Sequence, residues 1–209
     1  MTTEENISFQ KNLAKYIGES AAIFVETETR GLVFHLKVTK SRQTKYGDYM
    51  ESFHGKKQRI TVNGNLDKYS FLITLLHELA HLKAFDDFGK KIKPHGIEWK
   101  NTFSGYLVSA IKNELFPKEI AEVVHYFYIV KNDYSSSSRS KIVDRINASL
   151  NILAPTRLES FPINSCLNLT IGMKVRIIEK RRTRYLCKDL SSNKMYLVNK
   201  EAEVESIIE

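Results

Sequence analysis

The feature that most constrains this chain is the pattern His-Glu-x-x-His within residues 71–82, which read Phe-Leu-Ile-Thr-Leu-Leu-His-Glu-Leu-Ala-His-Leu. Two histidines four residues apart on an α-helix lie about one turn from each other, so His77 and His81 leave the same face and can bind one Zn²⁺ ion. Glu78 follows the first histidine, where its carboxylate can reach a water molecule held by the metal. The pattern is therefore typical of a metal-assisted hydrolase.

The apolar residues of this stretch predict that it is a helix. Leucines recur at spacings of three and four residues, namely Leu72, Leu75, Leu76, Leu79 and Leu82. A second, more polar stripe carries both histidines together with Ser70 and Thr74. Asp67 or Asn65 is expected to cap the start of the helix, and Gly89 is expected to end it.

A structural role for the histidines is the alternative interpretation. In it, His77 and His81 are hydrogen-bonded core residues and Glu78 is their partner. Such an arrangement buries several polar groups in a leucine-rich helix, which costs free energy unless every group is hydrogen-bonded. We therefore favour metal binding.

A third metal ligand must come from another part of the chain, because catalytic zinc usually takes three protein ligands and leaves one position for water. His95 is the first candidate, since it lies between Pro94 and Gly96 where a rigid loop enters the next helix. Glu98, near the start of that helix, is the rival. The remaining histidines are interpreted as structural: His35, His54 and His125.

Composition excludes several other classes of protein. The chain of 209 residues has only two cysteines, so neither a disulfide framework nor a four-cysteine zinc site can form within it. No apolar run is long enough for a membrane span and the polar start is unlike a signal peptide, so we expect a cytoplasmic protein without a membrane partner. The formal net charge of +8 allows attraction to nucleic acid.

The segments around the metal helix predict an α+β domain. Alternating apolar residues indicate strands at 32–39, 49–54 and 58–63, which would form a small antiparallel or mixed sheet against the metal helix. Helical periodicity predicts further helices at 7–17, 97–115 and 118–130. Residues 20–29 are compatible with a strand or a helix, and we favour the helix.

Two separated motifs in this order resemble the SprT-like metallopeptidases, the group that includes Spartan. The first motif is His-Glu-Leu-Ala-His at residues 77–81, and the second is Lys-Pro-His-Gly-Ile-Glu-Trp-Lys at residues 93–100. The strand at 34–40, the turn at 44–49 and the segment at 60–66 are also similar to that family. The resemblance covers roughly residues 5 to 130.

The resemblance implies a zincin-like α+β fold, with His77, His81 and His95 as ligands of one Zn²⁺ per chain and Glu78 as the general base. It implies a zinc metallopeptidase that hydrolyses peptide bonds of a protein or peptide substrate. In the well-studied eukaryotic members the substrates are proteins crosslinked to DNA, and the activity is coupled to DNA binding. DNA is therefore a second expected partner.

Three segments are expected along the chain. Residues 1–132 would form the SprT-like zincin domain, 133–155 a serine-rich linker with a short helix from residue 141, and 156–209 a small basic β-rich unit. Many SprT-like proteins carry a cysteine zinc ribbon in this last region. Here only Cys187 lies near a suitable place for such a ribbon, so a second zinc is not expected.

Basic residues in the last segment are candidates for contact with nucleic acid. The four residues at its basic turn are Lys180, Arg181, Arg182 and Arg184. Tyr185 and Tyr196 lie close by in sequence and could stack on bases. The alternative is a solvated hairpin whose strands turn charged residues outward and apolar residues inward.

These observations leave three functional hypotheses. The first is a zinc endopeptidase. The second is a non-proteolytic zinc-containing protein of the same fold that binds nucleic acid or has a regulatory role, but such a protein has no need of Glu78 beside the metal. The third is a structural zinc, which requires a fourth protein ligand that is not evident near His95.

Overall fold

The computed structural model describes residues 3–40, 42, 45–51, 58–152 and 156–208, with side chains of the first helix from Phe9 onward. The chain forms two compact units, Met1–Ser149 and Leu150–Glu209. The first unit thus continues through residues 133–149, which the sequence analysis assigned to a linker and a short helix.

The first unit combines helices with a small sheet, which confirms the α+β class. Its described residues form six α-helices: α1 (Thr3–Ile17), α2 (Glu19–Glu28), α3 (Lys68–Phe88), α4 (Ile97–Lys112), α5 (Lys118–Val124) and α6 (Ser136–Ser149). A π-helical turn, His125–Val130, follows α5 directly. The helix predicted at 20–29 is confirmed as α2.

The sheet of the first unit is mixed. Its strands are β1 (Phe34–Thr39), β2 (Gly47–Met50) and β3 (Gln58–Asn63), arranged in the order β1-β3-β2. The central strand β3 runs parallel to β1 and antiparallel to β2. The second strand therefore begins earlier than the predicted 49–54, while residues 52–57, including His54, lie outside the described residues.

Helix α3 is the predicted metal helix and lies at the centre of the first unit. All five leucines of its apolar stripe are almost fully buried. The Asp67 carboxylate accepts hydrogen bonds from the backbone N–H groups of Tyr69 and Ser70, each at 2.9 Å, so Asp67 is the N-cap. The helix ends at Gly89, whose φ of 74° is a conformation that glycine adopts without strain. Helix α3 packs against α4, β2, β3 and α6.

Helix α6 begins at Ser136, five residues before the predicted start, so the expected serine-rich loop is partly helical. The reason is capping. The Ser135 hydroxyl accepts a hydrogen bond from the Ser138 backbone N–H at 3.2 Å. The Asp133 carboxylate in turn accepts from the Ser135 backbone N–H at 2.9 Å and from the Ser138 hydroxyl at 2.5 Å. Short polar side chains stabilise a helix start in this way even though they disfavour a helix interior.

The second unit is an antiparallel sheet of five strands. They are β4 (Cys166–Leu169), β5 (Lys174–Lys180), β6 (Arg184–Asp189), β7 (Met195–Asn199) and β8 (Val204–Ile207), in the order β7-β6-β5-β4-β8. Alternating residues in the sequence predict three strands in this unit, at 173–178, 184–188 and 194–198, and these correspond to β5, β6 and β7. Strands β4 and β8 were not predicted; they pair with each other and extend the sheet beyond β5. None of the helices in the described part of the chain combines the length and apolar character that a membrane crossing requires.

Candidate metal centre

The three predicted histidine ligands converge in the first unit. His77 and His81 project from α3, and His95 comes from the loop before α4. The Nε2 atom of His95 lies 3.1 Å from the Nε2 atoms of both His77 and His81. Within the described ranges, these three residues form the only group of three or more His, Cys, Asp or Glu side chains placed to hold a metal ion.

The loop before α4 is shaped to present His95. The φ of His95 is 57°, a left-handed conformation that is uncommon for a residue with a side chain. The Gly96 backbone N–H donates a 2.8 Å hydrogen bond to the Lys93 carbonyl and closes the turn. A Cβ atom on Gly96 would lie 2.9 Å from that same oxygen, so only glycine fits there.

Trp99 forms the floor beneath the three imidazoles. It lies on the first turn of α4, is 1% exposed, and places its ring centroid 4.6 Å from that of His77 and 4.5 Å from that of His95. The His81 ring lies at 5.2 Å from the same indole. The indole N–H also donates to the His77 carbonyl at 3.3 Å, which ties α4 to α3 at the first histidine.

The surroundings keep the histidines neutral. Burial, followed by the neighbouring histidines, holds the pKa of His77 far below its usual range and lowers the pKa of His81 to about 4. Burial also lowers the pKa of His95, with a smaller contribution from Lys100. Neutral imidazoles have the free lone pair that metal coordination needs.

The donor geometry fits a zinc ion better than hydrogen bonding. Nitrogen ligands about 2.0–2.1 Å from a tetrahedral zinc lie about 3.3 Å from one another, close to the observed separations. A neutral imidazole nitrogen carries at most one proton, so the Nε2 of His95 cannot donate to both neighbours at once. A cation would accept all three lone pairs.

Glu78 is buried, with 7% of its surface exposed. Burial and, to a lesser degree, the charge of Asp48 raise the pKa of Glu78 to about 7. Gly47, at the start of β2, makes room for this carboxylate, since a Cβ atom there would lie 2.6 Å from Oε1 of Glu78. Glu78 is thus a carboxyl group that can both accept and release a proton near neutral pH.

Several residues around Glu78 were not predicted from the sequence. The Arg139 guanidinium on α6 donates to the Thr74 hydroxyl at 3.3 Å and lies 4.2 Å above the Tyr46 ring. The Tyr49 ring on β2 lies parallel to the His81 ring, with centroids 6.2 Å apart. Arg139 carried no sequence signal, because it is far from the motif along the chain and follows a run of serines.

The other candidates lie outside the metal centre. Glu98, the rival of His95, does not belong to the cluster. His35 is exposed on β1, and His125 is exposed at the start of the π-helical turn.

The basic turn of the second unit is exposed at all four predicted residues: Lys180, Arg181, Arg182 and Arg184. The Arg181 guanidinium already pairs with the Glu179 carboxylate, at 3.0 and 3.1 Å. Tyr185 is 7% exposed and packs in the core of the sheet, so the expectation that it stacks on bases is wrong. Tyr196, by contrast, is 41% exposed.

Comparisons of this chain with protein-family models, with curated proteins and with solved structures find no match.

Proposed function

We propose that this protein is a zinc-dependent metallopeptidase of the SprT-like type, with a zincin-like fold in its first unit and one Zn²⁺ per chain. The observation that carries the proposal is the convergence of three imidazole Nε2 atoms beside a buried carboxylate. A binding module has no use for that carboxylate, which is costly to bury.

His77, His81 and His95 would hold the metal. Three neutral nitrogen ligands suit zinc and leave one coordination position open, as catalytic zinc sites do. A Zn²⁺ ion held there would supply Lewis acidity, which polarises a peptide carbonyl and makes a water molecule more acidic. A structural zinc would need a fourth protein ligand, and none joins the histidines within the described residues.

Glu78 would be the general base and then the general acid. Its carboxylate accepts a proton from the attacking water and passes that proton to the nitrogen of the leaving amine. A carboxyl group with a pKa near 7 suits both steps, because it is readily charged and readily protonated at neutral pH.

The sheet of the first unit offers an edge for an extended peptide. Strand β2 lies at the end of the order β1-β3-β2, and it carries Gly47 against Glu78 and Tyr49 against His81. A peptide that pairs with this edge gains backbone hydrogen bonds without regard to its side chains. The edge therefore supports a protein or peptide substrate.

Glu78→Gln tests the proposal. The amide cannot take up the proton, so we expect hydrolysis of an unfolded protein substrate to fall by about a thousandfold or more while the zinc content stays near one per chain. Elemental analysis and a peptide-release assay measure the two quantities. Glu119→Gln, at an exposed position on α5, is the matched control and should change neither.

Two results would contradict the proposal. Cleavage by Glu78→Gln at the parent's rate would remove Glu78 from the mechanism. Absence of zinc from the gently purified wild type would remove the metal on which the proposed hydrolysis depends.

DNA-associated proteins are the finer proposal for the substrate. It is supported by the net charge of +8 and by the exposed cations of the basic turn in the second unit. Nucleic-acid binding without proteolysis remains the second candidate function, and the same two features favour it. Cleavage of a protein substrate by the wild type would favour the peptidase over nucleic-acid binding without proteolysis.

A further inference from the structure

Arg139 is a cation beside the catalytic carboxylate that the proposed mechanism does not use. It is partly buried, and its guanidinium is held by the Thr74 hydroxyl and the face of the Tyr46 ring. Both supports adjoin Glu78. Thr74 lies one turn before Glu78 on α3, and Tyr46 precedes Gly47, whose Cα faces the Glu78 carboxylate.

Three cationic side chains lie close enough to Glu78 to act on its charge, and two of them have structural roles. Lys45 forms an ion pair with Asp48 at 2.7 Å. The Arg42 Nε donates to the Asn63 side-chain carbonyl at 2.9 Å. Neither Arg42 nor Arg139 pairs with a carboxylate among the described residues, but the two differ in access to a ligand. One terminal nitrogen of Arg42 is buried without a hydrogen-bond partner, whereas no donor of Arg139 is buried in that way.

A guanidinium in this position has hydrogen-bonding capacity to spare. It carries five N–H donors in one plane, and Thr74 accepts from only one of its two terminal nitrogens. A ring that covers one face leaves the in-plane donors available. Carboxylates and phosphates are the groups that this planar fork binds best, and of the two only a carboxylate belongs to an unmodified peptide.

The proposed mechanism gives Arg139 a side relative to the scissile bond. In that mechanism Glu78 hands its proton to the leaving nitrogen, so its carboxylate would face the leaving-group half of the substrate. Thr74 and Arg139 are displaced from Glu78 toward the start of α3, whereas His81 lies toward its end. Arg139 would then face the substrate residues that follow the scissile bond.

We propose that Arg139 is a specificity-determining residue that binds a carboxylate on the leaving-group half of the substrate, so that peptides with an acidic residue directly after the scissile bond are preferred. This inference rests on the proposed function. It names a substrate class that neither the His-Glu-x-x-His pattern nor the net charge of the chain indicates.

The test uses two short, otherwise neutral peptides that differ only by Glu or Gln at one position. Their affinities are measured by fluorescence anisotropy on the zinc-loaded Glu78→Gln protein, which cannot turn them over. We expect the Glu peptide to bind about tenfold more tightly, as one charge-assisted hydrogen-bonded pair provides. Adding Arg139→Gln should abolish the difference, and Arg139→Lys should restore part of it.

Arg145→Gln is the matched control. Arg145 is an exposed arginine on the same helix, and it lies in the groove between α5 and α6. Its removal changes the net charge equally and should leave the preference for the Glu peptide intact. Loss of the preference in both variants would show a general charge effect and would overturn the proposal.

Kinetics on the protein with intact Glu78 give a second readout. Arg139→Gln should raise KM about tenfold more for the Glu peptide than for the Gln peptide, and any change in kcat that follows from removing a charge near Glu78 should be common to both peptides. An equal loss for both peptides would overturn the proposal, because it would mark Arg139 as a support of the fold. If the wild type cleaves neither peptide, the proposed peptidase function fails, while the binding measurement still decides the role of Arg139.

Discussion

The metal face of α3 and the basic turn between β5 and β6 are both clusters of titratable side chains, but their surroundings differ. At the metal face, His77, His81 and Glu78 are largely removed from water, and burial is the main cause of their shifted pKa values. At the basic turn every cation is exposed, and Arg181 is paired with a neighbour on its own hairpin. Burial therefore changes the proton affinities of the first cluster, whereas water screens the exposed charges of the second.

The largest expected effect in this comparison is on metal binding. His95→Ala removes one of three converging ligands, so we expect the affinity for Zn²⁺ to fall by about a thousandfold or more. Competition with a chromogenic chelator measures the affinity. His125→Ala is the matched control, since His125 is exposed and outside the cluster, and it should leave the affinity unchanged. Retention of zinc by His95→Ala would show that another residue is the third ligand.

The next effect concerns the stability of the metal-free first unit. The histidine pKa values are lowered below the ordinary 6.5, so the unfolded chain binds more protons and stability falls as the pH drops below 6.5. The pKa of Glu78 is raised from 4.5 to about 7, so the folded state binds more protons between those values. Glu78 therefore adds stability as the pH falls from 7 to 4.5 and opposes the histidines.

Glu78→Gln removes the opposing contribution. Between pH 7 and 4.5 the metal-free variant should lose more stability than the wild type, by on the order of 3 kcal/mol if the whole shift acts. Urea unfolding followed by tryptophan fluorescence measures this, because Trp99 is the only tryptophan of the chain and reports on the first unit. Equal pH dependence in the two proteins would show that the burial of Glu78 does not perturb its proton affinity.

The two regions also differ in how well the sequence predicts them. The spacing of residues in the sequence is enough to predict the part of the metal face that lies on one helix, namely His77, Glu78 and His81. His95 could be anticipated because only a short loop separates it from α3. Gly47 and Arg139 could not, because they reach Glu78 from a strand and from a distant helix, and long-range packing leaves no local pattern.

The same physical reason explains the errors in the second unit. Alternation predicts β5, β6 and β7, but it does not give the place of each strand in the sheet, on which the burial of its side chains depends. Tyr185 lies on the interior strand β6 and packs in the core, whereas Tyr196 lies on the edge strand β7 and is exposed. Strands β4 and β8 are four residues each, too short for alternation to stand out.

A smaller effect tests how tightly β2 packs against Glu78. Gly47→Ala would place a methyl group 2.6 Å from Oε1 of Glu78 and 2.7 Å from Cγ2 of Thr74. The carboxylate must shift, so we expect peptide hydrolysis to fall by about tenfold with zinc content unchanged, a loss in the range of overpacked sites. Gly105→Ala on α4 is the control, because nothing lies within 4 Å of its added Cβ. Equal activity of Gly47→Ala and the wild type would show that the base does not need this close contact.

The smallest expected effect is at the basic turn. Arg182 and Arg184 are exposed and belong to no ion pair among the described residues, so they are the cations most available to phosphates. Each phosphate contact with duplex DNA contributes about 0.9 to the slope of log affinity against log salt, so replacing both residues by Gln should reduce that slope by about 2 at most. Electrophoretic mobility shifts over a range of salt concentrations measure the slope.

The control is the double variant Lys112→Gln with Lys118→Gln, at two positions in the first unit, which removes the same charge. If both double variants change the slope equally, the attraction belongs to the net charge and the basic turn is only a solvated hairpin. A change confined to the Arg182 and Arg184 variant would instead give the exposed cluster a function that depends on long-range attraction, in contrast to the short-range chemistry of the metal face.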